Sequence, residues 1–148
     1  MMFVYGLLLG VAIYMIWQDV KYQTVPVWCL ILLGVVTGVK LFYEPNPDGL
    51  WAAFSILFIF ASCQGIFYFI RRRLAMGWGD SALGPLCGLW LYVHEIPSFL
   101  VYVGIIGILT GLVWRYRWRM RTFPFVPAIL GGQGIVFLIR CFLKSNGI

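Results

Sequence analysis

The chain has 148 residues, of which 62% are hydrophobic and only 11% charged. Soluble domains carry roughly 25% charge, so the composition excludes a water-soluble globular fold of any size. The net charge of +6 sits in clusters beside apolar runs, the pattern of loops that face the cytoplasm and anionic lipid, so membrane lipid is an expected partner and nucleic acid is not.

Cutting the chain at its charges and turn residues leaves six apolar stretches: Met1 to Trp17, Thr24 to Val39, Leu50 to Ile70, Gly79 to Val93, Ile96 to Trp114 and Pro124 to Ile139. The first lacks the basic n-region and small-residue cleavage site of a signal peptide and reads as a retained membrane helix. A spanning helix needs about 17–25 residues; the third and fifth stretches qualify readily, the sixth nearly, and the first two are short. The fourth is too short unless it draws in Asp80 or residues before it, which places that acid at a helix end. The expected fold is all-α: an integral membrane protein, a bundle of six transmembrane helices forming a single domain over residues 1–148 with no soluble domain. Gly6/Gly10, Gly34/Gly38, Gly84/Gly88 and Gly107/Gly111 stand at the small-xxx-small spacing that lets helix backbones approach in lipid. Trp17, Trp51, Trp114 and Trp118, at or just past stretch ends, suit interfacial anchors.

The connections alternate in charge. Lys21, Arg71–Arg73, and Arg115, Arg117, Arg119 and Arg121 put eight of the 11 basic residues on the odd loops, leaving Lys40, Arg140 and Lys144 elsewhere. The positive-inside rule therefore sets the odd loops in the cytoplasm and both termini outside, with the basic C-terminal tail running against it. Asp19 closes the first stretch and Asp80 opens the fourth, both at odd loops and so at one membrane face. Glu44, Asp48 and Glu95 fall on the other, and replacing them is expected to leave activity intact.

Charge at the edge of a span costs a few kcal/mol and marks a functional candidate. Two carboxyls a few ångströms apart share a proton and titrate as a unit. The ionised member takes a proton from water while the other donates to a carbonyl oxygen or leaving amine, hydrolysis that needs no metal. The plainer alternative is that Asp80 caps its helix and Asp19 pairs with Lys21 as an interfacial charge. The four cysteines, Cys29, Cys63, Cys87 and Cys141, stand singly without a CxxC pair and signal neither zinc nor disulfides; they read as small apolar packing residues, and no cofactor is expected. His94, alone beside a loop, reads as a surface histidine.

Two ordered motifs then carry a resemblance. Asp19-Val20-Lys21-Tyr22-Gln23-Thr24-Val25-Pro26 has an acid, a basic residue two later, and an aliphatic-Pro pair at six and seven. Gly77-Trp78-Gly79-Asp80 is a Gly-x-Gly-Asp, and Pro124-Phe125-Val126-Pro127 followed by Gly131-Gly132 is a weaker third element. In this order and six-span setting the chain resembles, over nearly its whole length, the type IV prepilin peptidase family of membrane aspartic endopeptidases. The resemblance implies removal of the short basic leader from a prepilin-like precursor, with Asp19 and Asp80 as the catalytic pair and Gly77 and Gly79 shaping the approach to Asp80. Larger relatives add an N-terminal methylation domain with paired CxxC motifs, so this sequence resembles the compact, peptidase-only members of Flp/Tad-type or conjugative-pilus systems. It departs from the family pattern at Ala82, commonly Lys, at Val27, commonly Asn or Asp, and at Val126, commonly Gly. Without that lysine, Lys21 or the Arg71–Arg73 cluster is left to supply positive charge to the site or substrate. Two other readings are weighed. A presenilin-like intramembrane protease also uses Gly-x-Gly-Asp but pairs it with Tyr-Asp inside a span, whereas Gln18 precedes Asp19 here. A non-catalytic assembly protein of pilus or secretion systems would use the acids only as caps and ion-pair partners.

Overall fold

The computed structural model describes residues 2–72, 77–118 and 124–147. The described elements are six helices and one short 3-10 turn: α1 (Met2–Tyr22), α2 (Val27–Tyr43), α3 (Pro47–Arg71), α4 (Trp78–Gly88), the 3-10 turn Val93–Glu95, α5 (Ile96–Trp118) and α6 (Val126–Ser145). No strand occurs among the described residues.

Local chemistry sets the boundaries. At the end of α1 the Gln23 backbone turns left-handed at φ 53, and its N–H bonds the Asp19 carbonyl at 2.9 Å. Pro26 then bars helix from the residue before it, so the connection is extended and α2 starts at Val27. Pro47 opens α3 at a position where its missing N–H costs nothing, and Arg72, left-handed at φ 54, caps the other end.

Three helices are long and apolar enough to cross a membrane, Pro47–Ile70, Val93–Arg117 and Val126–Ser145, and Val27–Tyr43 is a shorter apolar helix. Their outward faces carry large bare side chains such as Phe54, Phe58 and Phe69, apolar surface of a kind that soluble monomers do not expose. The fourth stretch does draw Asp80 into its helix, but α4 stops at Gly88, 11 residues after it starts. Trp90 and Leu91 close a tight turn on the Cys87 and Gly88 carbonyls. At about 16 Å, α4 is shorter than the roughly 30 Å hydrocarbon layer.

The core gathers Met15, Cys29, Leu33, Ile56, Leu83, Leu91, Phe99 and Ile129 from all six helices. Helices α3 and α4 pack where Gly88 lies against the Ala53 backbone and Gly84 against the Phe60 ring. A Cβ added at the equally spaced Gly6 or Gly10 of α1 would meet nothing within 4 Å among the described residues, so there the spacing marks a packed face in α4 and not in α1. Arg73, Arg119 and Arg121, part of the basic loops, lie outside the described residues.

Candidate active site

Helix α6 begins badly by sequence. Its N-cap is Phe125, which has no side-chain acceptor, where Asp, Asn, Ser or Thr would ordinarily satisfy the free N–H groups. Pro127 has no N–H, and Ala128 and Ile129 bond the Phe125 carbonyl. The Val126 N–H is left over, and Asp19 from the last turn of α1 accepts it through Oδ2 at 2.9 Å in a buried contact. The Phe125 N–H bonds the same carboxyl. Asp19 thus caps a helix that follows it by more than a hundred residues. Burial pushes its pKa up, and the two backbone N–H groups oppose that push.

Asp80 lies in the first turn of α4, half-buried. It accepts a hydrogen bond from the backbone of Gly77, the N-cap of its own helix, which is half of a capping box. Its Oδ1 is buried with no hydrogen-bond partner. Burial raises its pKa from the ordinary 3.8 to about 6, and the charge of Asp19 pushes the same way, with the Gly77 bond opposing. The two acids are therefore close enough to feel each other.

Of the two glycines of the second motif, Gly79 has a steric reason. Gly79 lies against Val25, which precedes Pro26 in the first motif: a Cβ at residue 79 would come 2.5 Å from Val25 Cβ. This contact locks the α1–α2 connection onto the start of α4. Gly77 lies beside the Asp80 carboxyl, which would be 3.4 Å from a Cβ at residue 77, an ordinary contact that does not itself require glycine. Ser81 fixes the same turn by donating to the Gly77 carbonyl at 3.1 Å and accepting from Gln64 Nε2 of α3 at 2.6 Å.

Lys21 is exposed, its ammonium over the rings of Trp17 and Tyr22 at 5.0 and 5.1 Å, while the Asp19 carboxyl bonds the start of α6. Ala82 is exposed on α4. Glu95 lies far from the pair: it holds Arg140 through Nε at 2.8 Å and through NH2, some fourteen residues or about 21 Å along α6 from Val126. Asn46 reaches the Leu91 carbonyl and Gly49 abuts that of Leu89, so the second loop also lies at this far end. His94 is exposed and stacked on Tyr92. The four cysteines are free, Cys29 and Cys87 buried, Cys63 and Cys141 exposed. Among the described residues no three His, Cys, Asp or Glu side chains gather as metal ligands would.

Three partners escaped the sequence reading. Gln64 was legible as the lone amide in the Leu50–Ile70 run. Val25 stands in the sequence only as the aliphatic residue of its motif, and nothing local announces that Val126 offers its N–H to Asp19.

Fold and site together define an all-helical protein of membrane type that gathers two carboxyls at one end of its bundle. Residues 6–112 match the model of the type IV leader peptidase family, and the chain belongs to that family. It is similar to a prepilin leader peptidase/N-methyltransferase of Haemophilus influenzae, 22% identical over 130 residues. The match covers 87% of this chain but 56% of the relative, so the chain spans little more than half of that protein's length. No solved structure gives a significant match.

Proposed function

We propose that this protein is an aspartic endopeptidase that removes the basic leader of a prepilin-like precursor at the cytoplasmic face of a bacterial inner membrane. The observation that carries this reading is the Asp80 Oδ1, buried and unpartnered, in a site where the charge of Asp19 reaches Asp80. A cap needs one carboxylate oxygen; the second is free for chemistry.

The two environments divide the roles. Asp19 sits on two N–H groups at the positive end of α6, which favour its ionised form. Asp80, with a pKa near 6, holds a proton more readily. Asp19 takes a proton from a water, whose hydroxide attacks the scissile carbonyl carbon. Asp80 gives its proton to the carbonyl oxygen, forming a neutral gem-diol. As the C–N bond breaks, the proton on Asp19 passes to the leaving amine and Asp80 recovers its own from the diol. Both acids return to their starting states, and no metal or other cofactor takes part.

In this reading residues 1–148 form one membrane domain of six helices, with α4 and the turn after it leading the chain from the acid end to the far end. Gly77 and Gly79 shape the approach to Asp80. The eight basic residues of the odd loops face the cytoplasm with the site, Lys21 supplies positive charge at the surface where the substrate arrives, and the termini lie outside. Arg140, counted against this topology by charge alone, is neutralised by Glu95.

The test is leader removal from a co-expressed prepilin. Asp19→Asn keeps an oxygen for Val126, and Asp80→Asn keeps the side-chain shape. Each is expected to abolish processing while the protein stays in the membrane. Normal processing by either variant would leave the acids as caps and favour the assembly-protein reading.

A further inference from the structure

At the far end of the bundle from the two acids lies a second feature, a cavity of about 400 Å³ between α6 and the start of α5. Val136, Ile139 and Leu143 form an apolar strip along one face of α6, with Lys144 just beyond it and His94 from the 3-10 turn in the same wall. Ser98 lies deeper, since α5 runs back along α6 from the Glu95–Arg140 pair to Val103 against Gly132. Arg140 also lines it, already held by Glu95. That ion pair cancels, so the cavity's net charge is set by Lys144, for which no acid partner occurs among the described residues.

Depth decides what fits. Lys144 lies eighteen residues beyond Val126, about 27 Å along the helix axis. With the acid end at one membrane surface, this puts its ammonium at the headgroup level of the opposite leaflet, since the hydrocarbon layer is about 30 Å thick. The apolar strip runs from there toward the membrane interior, beside the bare side chains of Leu138 and Phe142. A cation at headgroup height, an imidazole in the same wall, and an apolar track beneath complement an anionic amphiphile.

We propose that this cavity binds an anionic phospholipid, its phosphate on Lys144 and His94 and an acyl chain along Val136, Ile139 and Leu143. The site is separate from the acid pair, so the proposal stands or falls independently of peptidase activity. Native mass spectrometry of the full chain in detergent, mixed with phosphatidylglycerol or phosphatidylcholine, tests it. The wild-type protein is expected to retain phosphatidylglycerol preferentially. Lys144→Gln should weaken that retention about fivefold, the effect of one basic residue at a membrane surface, without changing phosphatidylcholine, and Lys144→Arg should preserve it. Equal retention of the two lipids, or an unchanged preference in Lys144→Gln, would overturn the proposal. So would displacement of the lipid by excess inorganic phosphate, which would show a simple anion site that makes no use of the apolar track.

Discussion

Replacing Gly79 by alanine tests whether the contact between the two motifs positions the Asp80 carboxyl. The added Cβ would stand 2.5 Å from Val25 Cβ and 2.9 Å from Val25 Cγ2, whereas carbon atoms rest about 3.5–4.0 Å apart. The start of α4 and the α1–α2 connection must then separate by about 1 Å, at an overpacking cost of about 1–3 kcal/mol. Asp80 is the next residue, and a misplacement of about 1 Å in an active site can cost about 100-fold in rate. We therefore expect Gly79→Ala to slow leader cleavage by roughly that factor with the protein still present in the membrane, measured as the initial rate on a purified prepilin. The nearest obstacle is Cβ itself, so Val25→Ala should not rescue the variant, whereas Val25→Gly should recover much of the rate. Full activity in Gly79→Ala would refute the reasoning, as would equal rescue by the alanine and glycine changes at residue 25.

Other outcomes follow from the same geometry. Asp80 must be protonated to donate, and its pKa is near 6, so kcat/KM should fall as pH rises through that region and fall again in acid as Asp19 gains its proton, the two limbs belonging to the pair; a flat profile from mild acid to mild base would argue against a two-acid mechanism. In Asp19→Asn the neighbouring charge is gone, so the Asp80 carboxyl, followed by infrared or carbon NMR titration, should ionise at lower pH than in the wild type. Gln64→Leu removes one hydrogen bond from the Ser81 turn, worth about 0.5–1.5 kcal/mol, and should slow cleavage about 2- to 12-fold; no change would show that Ser81 and Gly77 hold the turn alone. Glu95→Gln should leave kcat unaltered, since the residue is remote from the acids, but should lower thermal stability by about 1.5–3 kcal/mol through the weakened bond to Arg140, read by a melting assay in detergent; unchanged stability would remove that ion pair from the account.

Composition and charge spacing decided the class of this protein before any coordinates. With 11% of residues charged, a fold that buries its apolar groups from water is not available, and the runs between charges are helical in length. The same pattern singled out Asp19 and Asp80, because a charge at the edge of an apolar run has few inexpensive explanations. Pairing them by topology needed only the alternation of basic loops. Sequence also announced that α4 would reach back to Asp80, but not that it would end at Gly88, where a tight turn takes over the last carbonyls.

What tertiary structure alone decided is how each acid is held. Helix α6 lacks a cap of its own, and only folding could bring Asp19 to its first free N–H, because a hydrogen bond between residues 19 and 126 leaves no trace in local spacing. The Gly79–Val25 contact is likewise a meeting of a backbone and a side chain from distant segments. The plain and the functional readings of the acids also turn out to share the same atoms: Asp19 is a helix cap, and Asp80 bonds its own N-cap residue. The buried, unpartnered oxygen of Asp80, visible only once the chain around it is packed, is the observation on which the proposed catalytic role rests.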